Sequence, residues 1–449
     1  MSMRSPDRDK HRRQMILTVG ASLLLVLCLL GMSFLIFRIY QEHTGQQEQG
    51  NMLADAKQSG SETVSVEEEQ EDPQQQTTED GQESSSQQEQ ETVRAEEDTA
   101  NRAEELIENM TLEEKVAQLF FVLPDSLAQV SGVTQVGETT ASAYREYPVG
   151  GIVYMEGNLV SEEQLTGMNE SFRQLSQEIL GVDPFLAVDE EGGSVVRIAG
   201  NEAFPVANVG DMADIGSTQD SFYAYQAGIT LGSYLHQYGF NLDFAPVADA
   251  LTNPSNTVVR SRSFGSDPEL VAEMVTAEIK GLEEEGVCAA LKHFPGHGAT
   301  AEDSHEGYAY ADRSLEQLRE AELVPFQAGI DAGADFVMVG HICYPQIDGG
   351  EEPASLSEWA VTQLLKEEMG FSKVVITDAM NMGAIANNYS SAQAAVEAIQ
   401  AGVDMILMPA DFLSAYTGVL EAVNNGSITQ DRLNDALMRI MTVKLERQE

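Results

Sequence analysis

The sequence is poor in cysteine and in basic residues. Three cysteines in 449 residues are too few for the disulfide framework that small secreted domains need. Lysine and arginine total 25 against 73 aspartates and glutamates, which gives a formal net charge of -48. Because the sequence has no basic footprint, we expect no nucleic-acid partner. The Gly-rich stretch at residues 191–194 is not followed by Lys-Ser/Thr, so it is a weak candidate for a phosphate-binding loop.

Aromatic and branched aliphatic residues are nearly missing between Gln41 and Thr99. Such a composition cannot bury enough apolar surface to offset the entropy of ordering. We therefore predict that residues 38–100 form a disordered, acidic Gln/Glu/Ser-rich tether. A flexible chain of about 60 residues has an r.m.s. reach of about 40 to 50 Å.

One long apolar run occurs, at residues 15–37. Its length of about 23 residues suits a helix that crosses a hydrocarbon core of about 30 Å. Basic residues lie before it and acidic residues after it, so the positive-inside rule predicts a cytoplasmic N-terminus at residues 1–14. The alternative is a cleavable signal peptide, but residues 34–40 offer no small-residue cleavage site. We expect a single-pass protein of the cell membrane with an extracellular catalytic domain.

The remaining residues, 101–449, are enough for one large core. A capping box from Thr111 to Glu114 predicts the start of a helix. Short apolar runs then alternate with helical stretches, and eight strands are predicted at residues 117–122, 151–155, 185–189, 242–247, 287–291, 336–341, 374–378 and 405–408. Eight such β-helix-β units predict an α/β fold of the (β/α)8 TIM-barrel type.

Polar side chains follow many of these apolar strands within two residues. They are Asp189, Asp249, Lys292 with His293, His341 and Asp378. The C-terminal ends of parallel barrel strands share one rim, where barrel enzymes assemble their sites. A single aspartate after a strand would more simply be a helix N-cap, but five strands that end this way predict a site.

Two groups of residues suggest chemistry. Asp378 emerges from an apolar strand, where partial desolvation makes a carboxylate a usable nucleophile if cations keep it ionised; the alternative is an N-cap. Asp303 and His305 are spaced so that the carboxylate can orient the imidazole for proton transfer; the alternative is a solvated loop pair. His293, His297 and His305 could also form a metal site, although their spacing matches no derivable motif.

The stretch Lys-His-Phe-Pro-Gly-His-Gly from Lys292 to Gly298, followed by Asp-Ser-His from Asp303, resembles a family signature. The family is glycoside hydrolase family 3, in its β-N-acetylglucosaminidase (β-hexosaminidase) branch. Similar stretches at residues 110–115, 188–193, 262–265 and 376–378 fall in the family's order, so the resemblance covers residues 103–449.

The resemblance implies a retaining exo-β-N-acetylglucosaminidase that needs no cofactor and no metal ion. Asp378 would be the nucleophile, and His305, oriented by Asp303, would be the acid/base in place of the usual carboxylate. The residues implied to bind the sugar are Asp189, Arg197, Arg262, Lys292, His293 and His341.

The predicted substrate is a β-N-acetylglucosaminide of cell-wall glycans, a choice that rests on the expected location alone. Two relatives of the same fold remain alternatives: a β-glucosidase and a β-N-acetylglucosaminide phosphorylase, since a histidine acid/base repels phosphate less than a carboxylate would. A metal-dependent barrel hydrolase and a non-catalytic carbohydrate-binding protein are alternatives of other classes.

Overall fold

The computed structural model of the protein describes residues 80–301, 303–304, 307–347, 349–350 and 352–448, with side chains from Arg94 onward. The predicted cytoplasmic segment at residues 1–14 and the predicted membrane span at residues 15–37 lie outside the described residues. Within the described part, no helix combines the length and the apolar character that a bilayer crossing needs.

Ten strands occur in the described residues. In chain order they are β1 (Phe120–Val122), β2 (Gly151–Val153), β3 (Phe185–Val188), β4 (Leu242–Asp243), β5 (Cys288–Phe294), β6 (Ala309–Tyr310), β7 (Phe336–Val339), β8 (Ile342–Cys343), β9 (Val374–Thr377) and β10 (Ile406–Leu407). Seven of the eight predicted strand segments contain one of them, and the eighth, residues 287–291, overlaps β5, which continues to Phe294. Strands β6 and β8 form a small separate parallel pair that was not predicted.

Eight strands form one parallel sheet in the order β10-β1-β2-β3-β4-β5-β7-β9. The two outer strands meet through a parallel bridge between Ile376 and Met405 and a hydrogen bond from Thr377 N to Met405 O of 3.1 Å. These contacts close the sheet on itself. The prediction of a (β/α)8 barrel is therefore confirmed.

Helices surround the barrel. The α-helices of the described residues are α1 (Asp80–Asn109), α2 (Leu112–Ala117), α3 (Pro124–Ala128), α4 (Glu138–Glu146), α5 (Glu162–Leu180), α6 (Met212–Ser217), α7 (Ser221–Gln237), α8 (Pro268–Glu284), α9 (Leu315–Glu320), α10 (Leu323–Asp331), α11 (Gly383–Ala386), α12 (Ser391–Ala401), α13 (Phe412–Asn425) and α14 (Gln430–Glu446). A π-helix covers Trp359–Glu368. The predicted capping box opens α2, since Thr111 Oγ1 accepts from Glu114 N and Glu114 Oε2 accepts from Thr111 N at 2.8 Å.

Phenylalanine rings fill the interior of the barrel. Phe185 on β3 contacts Phe121 on β1 and Phe336 on β7, with ring centroids 6.3 and 4.9 Å apart. Because these strands are not neighbours in the sheet, the rings meet across the barrel axis. Gly151 on β2 leaves room for this layer, since a Cβ atom there would lie 2.4 Å from the Phe121 ring. The interior is therefore a packed core, and any ligand site must lie at a rim.

The predicted disorder of the tether is wrong over residues 80–100, which form the first 21 of the 30 residues of α1. The helix packs against α14, and Thr99, Ala103 and Ile107 are buried there. The composition of this segment does not predict the helix, because the helix has few small and apolar residues of its own. It is stabilised by packing against α14, which lies near the other end of the sequence. The rest of the predicted tether, residues 38–79, lies outside the described residues.

Candidate active site

A cavity of about 300 Å³ opens at the rim formed by the C-terminal ends of the strands. Six of the predicted site residues line it together: Asp189, Arg197, Arg262, Lys292, His293 and Asp378. They come from positions up to 189 residues apart in the sequence, and the barrel brings them together because parallel strands all end on the same side. The other residues that line it are Met155, Glu191, Val195, Met338, Ala379, Asn381, Met382, Leu407 and Met408.

Two cations of the cavity wall are held by carboxylates. Lys292 Nζ lies 2.8 Å from Asp189 Oδ1 and 2.6 Å from Glu191 Oε1. Arg262 forms a two-pronged pair with Glu191, from Nε to Oε2 at 2.6 Å and from Nη2 to Oε1 at 2.8 Å. Lys292 and Glu191 are buried and Arg262 is half-buried, and the pairing fixes the ammonium and guanidinium groups as preorganised hydrogen-bond donors.

The Glu191 carboxylate is the centre of that network, and it was not among the predicted site residues. Burial alone would raise its pKa, but the positive charges of Arg262 and Lys292 outweigh burial and hold the pKa well below its ordinary value. Burial alone would lower the pKa of Lys292, yet Asp189 and Glu191 raise it. The Glu191 carboxylate and the Lys292 ammonium group are therefore charged at neutral pH.

His293 is fixed on both sides of its ring. Its Nδ1 lies 2.8 Å from Asp249 Oδ2, and its Nε2 lies 3.2 Å from Arg262 Nη2. Because the guanidinium can only donate, Nε2 accepts and Nδ1 carries the proton that it donates to Asp249. Asp249 also accepts the backbone N–H groups of His293 and His297. Burial would raise the pKa of this carboxyl, but its histidine neighbours lower it.

Asp378 follows β9 and lies at the cavity wall with 9% of its surface exposed. Its Oδ1 accepts the N–H of Ala379 at 2.7 Å, and its own N–H donates to Val339 O at 2.9 Å. The next helix, α11, has Met382 as its N-cap residue. Asp378 is therefore not a helix cap, and the structural alternative weighed for it from sequence is wrong.

Arg197 reaches the cavity from the long loop after β3, which is shaped by Glu190. The Glu190 carboxylate accepts the backbone N–H groups of Arg197, Ile198 and Ala199 at 2.6 to 2.8 Å and the hydroxyl of Tyr234 at 2.9 Å. The Nε atom of Arg197 is buried without a hydrogen-bond partner among the described residues. The Arg197 side chain lines the cavity.

His341 is placed differently from the sequence prediction. It is fully buried and is not one of the residues that line the cavity. Its Nδ1 lies 2.7 Å from Ser355 Oγ, and its Nε2 lies 3.1 Å from the carbonyl oxygen of Ala379. Because Ala379 directly follows Asp378, His341 supports the backbone of the nucleophile candidate rather than contacting a sugar.

The predicted proton-transfer pair lies on the loop after β5. Asp303 is half-buried there and is not among the residues that line the cavity. His305 lies outside the described residues, so the pair remains a prediction. The metal site that His293, His297 and His305 could have formed is not favoured, because the ring nitrogens of His293 and His297 are engaged by Asp249, Arg262 and two hydroxyl groups.

Comparison with known proteins shows which family these features belong to. The family described as "Glycosyl hydrolase family 3 N terminal domain" matches residues 111–443. The chain belongs to glycosyl hydrolase family 3. The resemblance drawn from Lys292–Gly298 and Asp303 is thereby confirmed.

Family 3 relatives of this chain include curated proteins and solved structures. This chain is 33% identical over 322 residues to Beta-hexosaminidase A of Pseudoalteromonas piscicida, and the aligned part covers 66% of this chain and 53% of that protein. It is 36% identical over 263 residues to Beta-hexosaminidase of Stenotrophomonas maltophilia (strain R551-3), with 58% and 76% covered.

Among solved structures, a family 3 β-N-acetylglucosaminidase from Paenibacillus sp. str. FPU-7 superposes with a TM-score of 0.71 at 34% identity, over 76% of this chain and 63% of that one. A family 3 glycosyl hydrolase from Mycobacterium smegmatis gives a TM-score of 0.66 at 31% identity, over 75% and 98%. The chain thus spans about half of the Pseudoalteromonas protein and less than two-thirds of the Paenibacillus one.

Three residues of this family 3 site were missed from the sequence. Glu191 is one of two adjacent glutamates after β3, and Asp249 was noted only as a polar strand end. Met408 follows β10, lines the cavity and has a φ of 46°, a left-handed conformation that is rare for a non-glycine residue. The expectation that a buried cation has a carboxylate partner could have suggested Glu191 as a site residue. Nothing in the sequence predicts the left-handed backbone conformation of Met408.

Proposed function

We propose that this protein is a retaining exo-β-N-acetylglucosaminidase that hydrolyses terminal β-linked N-acetylglucosamine. The observation that carries the proposal is the cavity in which the Asp378 carboxylate shares one wall with Lys292, Arg262 and His293. Its volume of about 300 Å³ is at the lower end of the range for small-molecule sites, about 300 to 1,000 Å³, which favours one terminal sugar over an internal stretch of a chain.

The relatives support the choice of sugar. Those named above are a β-N-acetylglucosaminidase and two proteins called Beta-hexosaminidase. In this chain, donors on Lys292, Arg262 and Arg197 face the cavity from fixed positions. Buried polar groups of this kind discriminate strongly against a sugar that lacks the matching hydroxyl or amide.

The proposed reaction has two displacements. An Asp378 oxygen attacks the anomeric carbon, the bond to the glycosidic oxygen breaks, and His305 donates a proton to that leaving oxygen. Water then attacks the anomeric carbon of the glycosyl ester, His305 takes the proton from the water, and the Asp378 carboxylate leaves. Asp303 would orient the His305 ring in both steps. The bond from Ala379 N fixes the orientation of the Asp378 carboxylate for the attack.

Covalent trapping tests the nucleophile. A fluorinated N-acetylglucosaminyl donor with a good leaving group should label one peptide, and mass mapping should place the label on Asp378. A label on another carboxylate would refute the assignment. The Asp378→Asn enzyme, whose side chain has nearly the same size, is the control that should take up no label.

The sugar and the acceptor are tested in one assay. Aryl β-N-acetylglucosaminide and aryl β-glucoside are compared with and without inorganic phosphate. We expect turnover of the N-acetylglucosaminide alone, and free N-acetylglucosamine as the product in both buffers. A sugar 1-phosphate would establish the phosphorylase alternative instead, and binding of the sugar without turnover would establish a carbohydrate-binding protein.

We also propose that residues 15–37 anchor the protein in the cell membrane and leave the barrel outside the cell, near cell-wall glycans that could supply the substrate. The apolar run and the basic residues before it support this orientation. Protease added to intact cells should remove the barrel, whereas protease should reach residues 1–14 only after lysis. Release of the barrel by salt or high pH washing without detergent would contradict a membrane span.

A further inference from the structure

His297 has no role in the proposed reaction, although it belongs to the family signature. It lies in a 3-10 turn, His297–Ala299, directly after β5, and 2% of its surface is exposed. The loop then continues to Asp303 and Ser304. A buried polar ring at the base of the loop that carries the proton-transfer pair needs an explanation of its own.

Both nitrogens of the His297 ring contact hydroxyl groups of this loop. Nδ1 lies 2.8 Å from Thr300 Oγ1, and Nε2 lies 3.1 Å from Ser304 Oγ. The Thr300 hydroxyl donates its one proton to the His297 carbonyl at 3.0 Å. In the tautomer that fits this bond, Nδ1 donates to Thr300 Oγ1 and Nε2 accepts the proton of the Ser304 hydroxyl. Burial lowers the pKa of His297, in agreement with a neutral ring.

The backbone of His297 is itself fixed by the barrel. Its N–H donates to Asp249 Oδ1 at 2.6 Å, and its carbonyl accepts from Asn256 Nδ2 at 2.9 Å. Asp249 also binds His293 at the cavity wall. The His297 ring is therefore a rigid extension of the strand ends rather than a mobile part of the loop.

Ser304 is held from a second side as well. It is buried, with 1% of its surface exposed, and its carbonyl accepts the N–H of Ala384 at 3.2 Å. Ala384 lies in α11, which follows the segment of the chain that begins at Asp378. Ser304 thus connects the loop after β5 to the segment that carries the proposed nucleophile.

We propose that His297 is a positioning residue of the reaction, whose Nε2 holds Ser304, the residue between Asp303 and His305 in the sequence. The inference rests on the proposed role of His305 as acid/base. A displacement of about 1 Å in a reacting group can reduce the rate about 10²-fold. One hydrogen bond at the residue between Asp303 and His305 can therefore control proton transfer without touching the substrate.

Three variants separate the hydrogen bonds of the ring. Ser304→Ala removes the hydroxyl that contacts Nε2 of His297. His297→Asn can keep an amide group near the place of Nδ1 but is too short to reach Ser304. His297→Gln can place an amide oxygen near the place of Nε2 and so retain the acceptor. Ser176→Ala is the matched control, because the buried Ser176 hydroxyl donates one hydrogen bond, to Val182 O at 2.6 Å, on α5 away from the cavity.

The readout is the dependence of kcat/KM on the leaving group, measured with 2,4-dinitrophenyl and phenyl β-N-acetylglucosaminides. Proton donation matters for the poor leaving group and hardly for the good one. We expect Ser304→Ala and His297→Asn to lose about 10- to 100-fold on the phenyl substrate and less than about 3-fold on the dinitrophenyl substrate. His297→Gln should recover part of the loss, and Ser176→Ala should match the wild type on both.

His305→Ala in the same assay separates the two hypotheses. If His305→Ala loses activity equally on both substrates, the acid/base assignment fails and the positioning role falls with it. If His305→Ala shows the leaving-group dependence but Ser304→Ala and His297→Asn lose activity equally on both substrates, the positioning role alone is overturned. Melting temperatures of the variants are measured alongside, and if one of Ser304→Ala and His297→Asn does not fold, the other carries the test.

Discussion

Replacing Glu278 by glutamine should make the stability of the protein less dependent on pH. Glu278 lies on α8 with 1% of its surface exposed, and neither carboxylate oxygen has a hydrogen-bond partner among the described residues. Burial, and then the charge of Glu191, raise its pKa from 4.5 to about 8, while Lys292 opposes them. Folded protein therefore keeps this proton over a pH range in which the unfolded chain releases it.

The sign and size of the effect follow from linkage. The contribution of Glu278 to the free energy of unfolding is fully present below pH 4.5 and is lost as the pH rises to about 8. At about 1.4 kcal/mol per pH unit, the loss between pH 5 and pH 8 is about 4 kcal/mol. Glutamine does not titrate, so the Glu278→Gln protein should gain about 4 kcal/mol relative to the wild type over the same interval.

Urea unfolding at pH 5, 6, 7 and 8 measures this difference, with the fluorescence of Trp359, the one tryptophan of the chain, as the signal. Glu273→Gln is the matched control, because Glu273 lies on the same helix and is exposed. A constant difference between the Glu278→Gln protein and the wild type from pH 5 to pH 8 would refute the assignment of a buried neutral carboxyl group.

Three further predictions concern other buried charges. Burial lowers the pKa of Lys444 to about 7, so wild-type stability should rise by about 4 kcal/mol between pH 7 and pH 10, and Lys444→Met should abolish that rise in urea unfolding. Glu191→Gln should cost about 3 kcal/mol in urea unfolding at pH 7 and raise KM, whereas Glu368→Gln, at the exposed pair with Arg319, should cost less than about 1 kcal/mol. Asp378→Ala should lower kcat by at least about 10³-fold at an unchanged melting temperature; an active Asp378→Ala enzyme would disprove the nucleophile.

The barrel could be predicted because its strands are buried on both faces. Runs such as Val374–Thr377 are mostly apolar and buried along their whole length, and eight such runs separated by helices indicate a parallel sheet. The rim site could be predicted for the same reason, since a polar residue at the end of an apolar strand must lie at the end of the barrel. Asp189, Lys292, His293 and Asp378 were found in this way.

The errors arose where the position of a side chain depends on a distant segment. Glu190 and Glu191 are adjacent and chemically alike, yet the first binds the backbone at residues 197–199 and the second binds Lys292 and Arg262. Only the path of the chain after β3 separates their roles. His341 was expected at the cavity because it follows a strand, but its ring is turned to Ser355 and Ala379. Likewise, α1 depends on a partner helix more than 300 residues away.

The pairing of charges around the cavity has a consequence for the kind of molecule that the site accepts. Three cationic side chains line it, Arg197, Arg262 and Lys292, and three anionic ones, Asp189, Glu191 and Asp378. Their formal charges cancel, inside a chain whose net charge is -48. A neutral sugar therefore meets strong local dipoles, and its affinity should not change with ionic strength, whereas an anionic solute is repelled by the net negative charge of the protein. The unpaired acidic residues elsewhere in the chain favour solubility, whereas the charged residues that line the cavity and would recognise the sugar balance one another.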